Sequence, residues 1–253
     1  MQTIYPLDNP VMTYAWGSRT ALADLLGQQQ PSETPQAELW MGAHPKAPSM
    51  LAGHEPPLSL VELIREDPEK TLGDQVSAEF DRKLPYLFKV LAAREPLSIQ
   101  AHPSLAQARE GFARENHAGI PLDASRRNYR DDNHKPELIC ALTPFWALCG
   151  FRPPEQVARL LEKACGGSLA RFITPLQSPS TERPLHLFLE GLLSLSPGER
   201  DEALEEAISF CITTREDAAH WRWIPRLAQA YPGDIGALAP LFLNLVCLQP
   251  GEA

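Results

Sequence analysis

The chain has 253 residues, 43% of them hydrophobic, which is enough for one large domain or two modest ones with a real core. Its net charge is -9 and no Lys/Arg cluster interrupts the acidic balance, so nucleic acid is excluded as a generic partner. The five cysteines form no CxxC pair, which reads as free thiols in a reducing compartment. Met1-Gln-Thr-Ile-Tyr-Pro6 has neither a basic region nor an apolar run, and no stretch approaches the ~20 apolar residues that span a bilayer. The expectation is a cytoplasmic protein with no membrane partner.

Proline is spread along the chain, and from residue 1 to 152 the text reads as short strands joined by turns. Three short helices are expected there, over Leu58 to Arg65, Thr71 to Phe80 and Ser104 to Glu115. Leu84 to Leu91 and Leu97 to His102 read as strands separated by the Arg94-Glu-Pro96 turn. Glu137 to Leu142 and Phe145 to Phe151 read as a second strand pair, broken at Thr143-Pro144.

The pattern changes after Arg152. Val157, Leu160, Leu161 and Ala164 recur at helical spacing and the run ends at Gly166-Gly167, which predicts a helix from Pro153 to Cys165. Further helices are expected over Glu182 to Leu195, after Ser196-Pro197, and over Trp223 to Tyr231. Residues 153–238 therefore read as a helical subdomain. Residues 239–253 return to strand text in Leu241 to Leu248, followed by the Gln249-Pro-Gly251 turn. The organisation expected is a mainly β domain over 1–152 and 239–253 with helices inserted or added between. A last strand with no neighbour after it would be unusual.

Two segments carry the chemistry. On a strand, residues two apart share a face, so Gln100 and His102 would project together before Pro103 stops the strand. Imidazole is the commonest metal ligand and an amide oxygen is an acceptable hard one. In Tyr129-Arg-Asp-Asp-Asn-His-Lys-Pro-Glu137, Lys135 and Glu137 share a face and His134 takes the other. Glu137 borders the apolar run Leu138-Ile139-Cys140, so partial burial is expected, and a buried carboxylate needs a cation. Gln100, His102 and Glu137 together make an O/N set of three ligands with room for water, the number that catalytic zinc often has. A lysine beside such a metal holds its proton less tightly and becomes useful as an acid or base.

Other residues stand out less. Ala43-His44-Pro45 repeats the His-Pro pattern, as a turn histidine or a cleft residue. Tyr14-Ala-Trp-Gly17 and Glu38-Leu-Trp-Met-Gly42 set aromatics beside glycine, as core packing does. Lys89 lies inside the apolar run Leu87 to Leu91 and needs a partner for its charge, which a substrate phosphate could be.

The nonapeptide Tyr129 to Glu137 resembles the signature of the type I mannose-6-phosphate isomerase (phosphomannose isomerase) family at every fixed position. Tyr14 to Gly17, Glu38 to Pro45, Leu97 to Pro103 and Leu243 to Glu252 extend the resemblance over the whole chain, most closely to its enterobacterial branch. The resemblance implies a cupin-type (jelly-roll) β-barrel with an inserted α-helical subdomain. It implies one zinc ion per chain, held by Gln100, His102 and Glu137, with Lys135 as acid/base and Lys89 near the substrate. It implies interconversion of mannose 6-phosphate and fructose 6-phosphate, by a protein expected to be a monomer at full length. In the family the chain continues past this Pro-Gly-Glu turn to a fourth zinc ligand, an active-site arginine and a second cupin domain. The expectation is therefore an N-terminal portion with an incomplete barrel, and the alternative is an inactive cupin fragment that binds zinc weakly or not at all. A metal cupin of other chemistry fits less well, since the His-rich motif of such proteins is absent.

Overall fold

A computed structural model describes residues 4–178, 180 and 182–253. Met1, Gln2 and Thr3, part of the segment read for a leader, lie outside the described residues. The chain divides into two compact units, Met1–Leu97 and Ser98–Ala253.

In chain order the first unit carries β1 (Leu7–Asp8), β2 (Val11–Met12), α1 (Ala21–Leu25), β3 (Glu38–Met41), β4 (Met50–Leu51), α2 (Leu60–Glu66), α3 (Pro68–Leu72), α4 (Asp74–Glu79) and β5 (Phe88–Leu91). β1 pairs with β4, and β2-β3-β5 form an antiparallel sheet in which Trp40 lies opposite Lys89. Its core is small: Leu22, Leu39 and Ala92 are buried together, with Val11, Met41 and Val90 against them. α2 begins at a capping box in which the Ser59 hydroxyl accepts from the Glu62 N–H and the Glu62 carboxylate accepts in return. The single helix expected over Thr71 to Phe80 is two. Pro68 starts the first, and Gly73 separates them with φ of 83°, a conformation that only glycine adopts freely. The strand expected from Leu84 is shorter and starts at Phe88, after Pro85, which has no N–H to donate.

The second unit carries α5 (Leu105–His117), β6 (Phe145–Phe151), α6 (Pro154–Cys165), α7 (Ala170–Gln177), α8 (Pro184–Leu193), α9 (Pro197–Thr213), α10 (Ala219–Ala230), a 3-10 turn (Ile235–Leu238), α11 (Ala239–Phe242) and β7 (Leu243–Leu248). The apolar stripe read on α6 is largely its buried face: Val157, Leu161 and Ala164 are at most 1% exposed, with Cys165 beside them, and Leu160 is partly buried against the same core. They pack with Leu192, Leu204, Trp221, Leu241 and Phe242 into one continuous core. α7 was not expected, because Pro175 inside it masks the helical text. β7 does have its neighbour. It pairs antiparallel with β6, and the Asn244 amide donates to the carbonyls of Cys149, Gly150 and Phe151 where the register shifts.

Two expected strands are absent. Leu97 to His102 and Glu137 to Leu142 form no ladder. Each abuts a proline, Pro103 or Pro136, that cannot donate to a neighbour, and Leu138 and Leu142 lie 86% and 68% exposed. The ladders among the described residues are two pairs and one three-stranded sheet, and none of them is a barrel.

Candidate metal centre

The site is built at the two ends of α5. Ser104 caps its N-terminus, accepting from the Gln107 N–H while the Gln107 side chain accepts from Ser104 N. Gln100 and His102 lie just before that cap. Past the C-terminus of the helix the chain turns at Gly119 and reaches the nonapeptide. Its first residue, Tyr129, is held by buried partners, while Arg130 to Cys140 are all exposed, and there the Asp131 carboxylate accepts from Asn133 N at 3.0 Å. The segment is anchored again at Ala141, which exchanges backbone hydrogen bonds with Gly251 and Glu252 at 2.8 and 2.9 Å.

Between these anchors the two candidate segments meet. His102 Nδ1 lies 3.7 Å from Glu137 Oε2, and Lys135 Nζ lies 3.2 Å from Glu137 Oε1. Lys135 and Glu137 meet in an ion pair, although no strand forms there to set an alternation of faces. The expected burial of Glu137 is not found, since its side chain is 53% exposed and its cation is Lys135. Gln100 is exposed in the same irregular segment as His102. Two donors on one zinc, each bonded at about 2.0–2.2 Å in tetrahedral geometry, sit roughly 3.4 Å apart. The 3.7 Å between His102 and Glu137 is too long for a hydrogen bond and close to that spacing, so the pair fits a shared cation. Among the described residues no three His, Cys, Asp or Glu side chains converge, so any third protein donor here must be of another type, as the Gln100 amide is.

Lys89 lies in the other unit. Its ammonium is 3.5 Å from Glu38 Oε2 and 5.0 Å from the centre of the Trp40 ring. The partner that its half-buried charge requires is thus a protein carboxylate. Glu38 is itself buried and accepts from the Trp40 indole N–H at 2.7 Å. Sequence reading missed Glu38 as a functional neighbour, although its place two residues before Trp40 on one strand was the available signal. His44 meets the Trp40 ring edge-on at 4.8 Å.

The chain is similar to known proteins. The family model for the phosphomannose isomerase type I catalytic domain matches residues 4–154. The mannose-6-phosphate isomerase of Escherichia coli strain K12 is 46% identical over 250 residues, covering 98% of this chain and 62% of that protein. The mannose-6-phosphate isomerase of Homo sapiens is 34% identical over 273 residues, with 99% and 62% covered. A crystal structure of mannose 6-phosphate isomerase from Salmonella typhimurium bound to fructose 6-phosphate and zinc superimposes with a TM-score of 0.89 at 42% identity, covering 99% of this chain and 62% of that one. The chain thus spans about three fifths of the length of these relatives.

Proposed function

Because the chain belongs to the type I phosphomannose isomerase family, we propose that it carries the zinc-binding and proton-transferring part of an enzyme that interconverts mannose 6-phosphate and fructose 6-phosphate. The observation that carries this reading is the meeting of His102, Glu137 and Lys135 from segments on either side of α5. Gln100, His102 and Glu137 would hold the metal. When bound, zinc supplies Lewis-acid polarisation of the sugar's oxygens.

The chain's own groups then have distinct tasks. Isomerisation takes the C2 proton of the open-chain aldose and returns it to C1, while the C2 hydroxyl becomes the carbonyl and the C1 carbonyl becomes the hydroxyl. Lys135, 3.2 Å from Glu137, is the proton carrier of this reading. Lys89 lies near the substrate. With Glu38 neutralising much of its charge, it orients a sugar phosphate more than it supplies net positive charge. The reading also keeps a cupin-type core over 1–152 and 239–253, a helical block over 153–238, a monomeric state at full length and a cytoplasmic setting. The free thiols support that setting.

The test is zinc stoichiometry and a coupled fructose 6-phosphate assay on the purified chain, stripped with chelator and reloaded. His102→Ala and Glu137→Ala should lose zinc. Lys135→Met should keep zinc and lose turnover by a factor of about 10² or more; near-normal turnover would refute its role. A second reading, a cupin fragment with weak or no zinc binding, is favoured by the lack of a third charged or imidazole ligand among the described residues. It predicts substoichiometric zinc and no product.

A further inference from the structure

Glu115 and Arg127 make a buried ion pair beside the nonapeptide, with side chains 8% and 0% exposed and 3.3 Å between them. The mutual attraction of two buried charges repays their desolvation only where further hydrogen bonds satisfy both groups. Here both charges are used on the backbone of Asn128 and Tyr129. The Glu115 carboxylate accepts from Tyr129 N at 2.8 Å and from Asn128 N at 3.2 Å, and the Arg127 Nε donates to Tyr129 O at 2.6 Å. The rest of the guanidinium donates to Ile120 O and to Asn116 Oδ1. The Tyr129 ring lies flat on α5 at Gly111, where an added Cβ would come within 2.5 Å of it.

We propose that Glu115 and Arg127 are positioning residues: they clamp Tyr129 onto α5 so that the segment after it can bring Glu137 back to His102. The proposal rests on the reading of His102 and Glu137 as metal ligands. Its second support is the slack in the segment that follows Tyr129. His102 precedes the N-terminus of α5, and Glu115 sits near the other end of this 13-residue helix. The helix separates them by roughly 20 Å, while the eight residues Arg130 to Glu137 span at most about 29 Å fully extended. The segment thus has length to spare, so its reach alone does not place Glu137, and a fixed starting point at Tyr129 limits where the segment can go.

The test compares Glu115→Ala, Glu115→Gln and, as a control in the helical block, Glu206→Ala, which removes the acceptor of Gly167 N and Ser168 N. Three quantities are read on the full 253-residue chain: melting temperature, zinc affinity by chelator competition, and the His102 ring-proton resonance without metal. Glu115→Ala should weaken zinc binding at least tenfold and move the His102 resonance in the direction that Glu137→Ala moves it. Glu115→Gln, which keeps an acceptor for the Tyr129 N–H, should fall between. Glu206→Ala should lower the melting temperature while changing zinc affinity less than twofold. An unmoved His102 resonance in Glu115→Ala, or equal zinc loss in Glu206→Ala, overturns the proposal. If the parent chain takes no zinc, the metal reading fails and the resonance alone decides the clamp. If Glu115→Ala does not fold, Gly111→Ala serves instead: it displaces the Tyr129 ring and leaves the ion pair, and an unmoved resonance there overturns the proposal equally.

Discussion

Lys89 shows at the scale of single residues how a charge inside an apolar strand obtains a protein partner. A lysine inside an apolar strand does need a counter-charge, and the structure supplies Glu38 from the neighbouring strand. The carboxylate serves two donors, the ammonium and the Trp40 indole, so its removal leaves both short of a partner. Glu38→Gln keeps a single acceptor oxygen and abolishes the ion pair. It should destabilise the first unit by about 1–3 kcal/mol, the cost of an under-satisfied buried group, read as a lower urea midpoint at unchanged slope. An unshifted midpoint would mean that Lys89 finds water instead. Gln100, His102, Lys135 and Glu137 were all legible as candidates because their residue types and spacings are those of metal and acid/base chemistry. Glu115 and Arg127 were not legible, since nothing in a helical glutamate and an arginine 12 positions later signals that they will meet.

Among the elements, capping signals were read more reliably than strands. Ser196-Pro197 marked the start of α9, and there the Ser196 hydroxyl accepts from Glu199 N while the Glu199 carboxylate accepts from Ser196 N and Oγ. The Ser196 hydroxyl and N–H, with Arg171, hold the Glu199 carboxyl down at about 2 from an ordinary 4.5. A depressed carboxyl favours the folded state fully above its unfolded value, and that contribution fades as pH falls from about 4.5 through 2. Thermal melts between pH 5 and 2 should therefore fall more steeply for the parent than for Ser196→Ala, which at pH 7 should already have lost about 0.5–2 kcal/mol. Parallel pH profiles would rule the cap out as their cause. The missing strands have the opposite lesson. Leu97 to His102 and Glu137 to Leu142 carry apolar text, but a strand needs a partner, and partner choice is not written in a local run.

For the molecule as a whole, the two units differ in what holds them. The second buries a continuous core from α6, α8, α9, α10 and α11, and the first buries Leu22, Leu39 and Ala92 around a three-stranded sheet. Stability follows buried apolar area, so the first unit should unfold at lower urea than the second. The tryptophans separate the two: Trp16 and Trp40 report on one, and Trp146, Trp221 and Trp223 on the other. Leu161→Ala, at a fully buried position, should cost about 2–5 kcal/mol and move only the second transition. A single transition that moves as one would show that the units unfold together. Periodicity announced the helical block, because an apolar stripe repeats within one element. The boundary after Leu97 was not legible, because it depends on which strands pair across the chain.

By itself the sequence determined most of the helical block and the short list of side chains able to do chemistry, because those properties depend on residue type and on spacing within a few positions. It also carried the family, through nine contiguous residues. The tertiary structure decided which of those side chains meet. His102 faces Glu137 at 3.7 Å across 35 positions of chain, Lys89 spends its charge on Glu38, and Tyr129 is fastened to α5 by a buried ion pair. Each is a contact between segments whose approach is set by packing around α5 or the β3-β5 pair, and no local pattern encodes that.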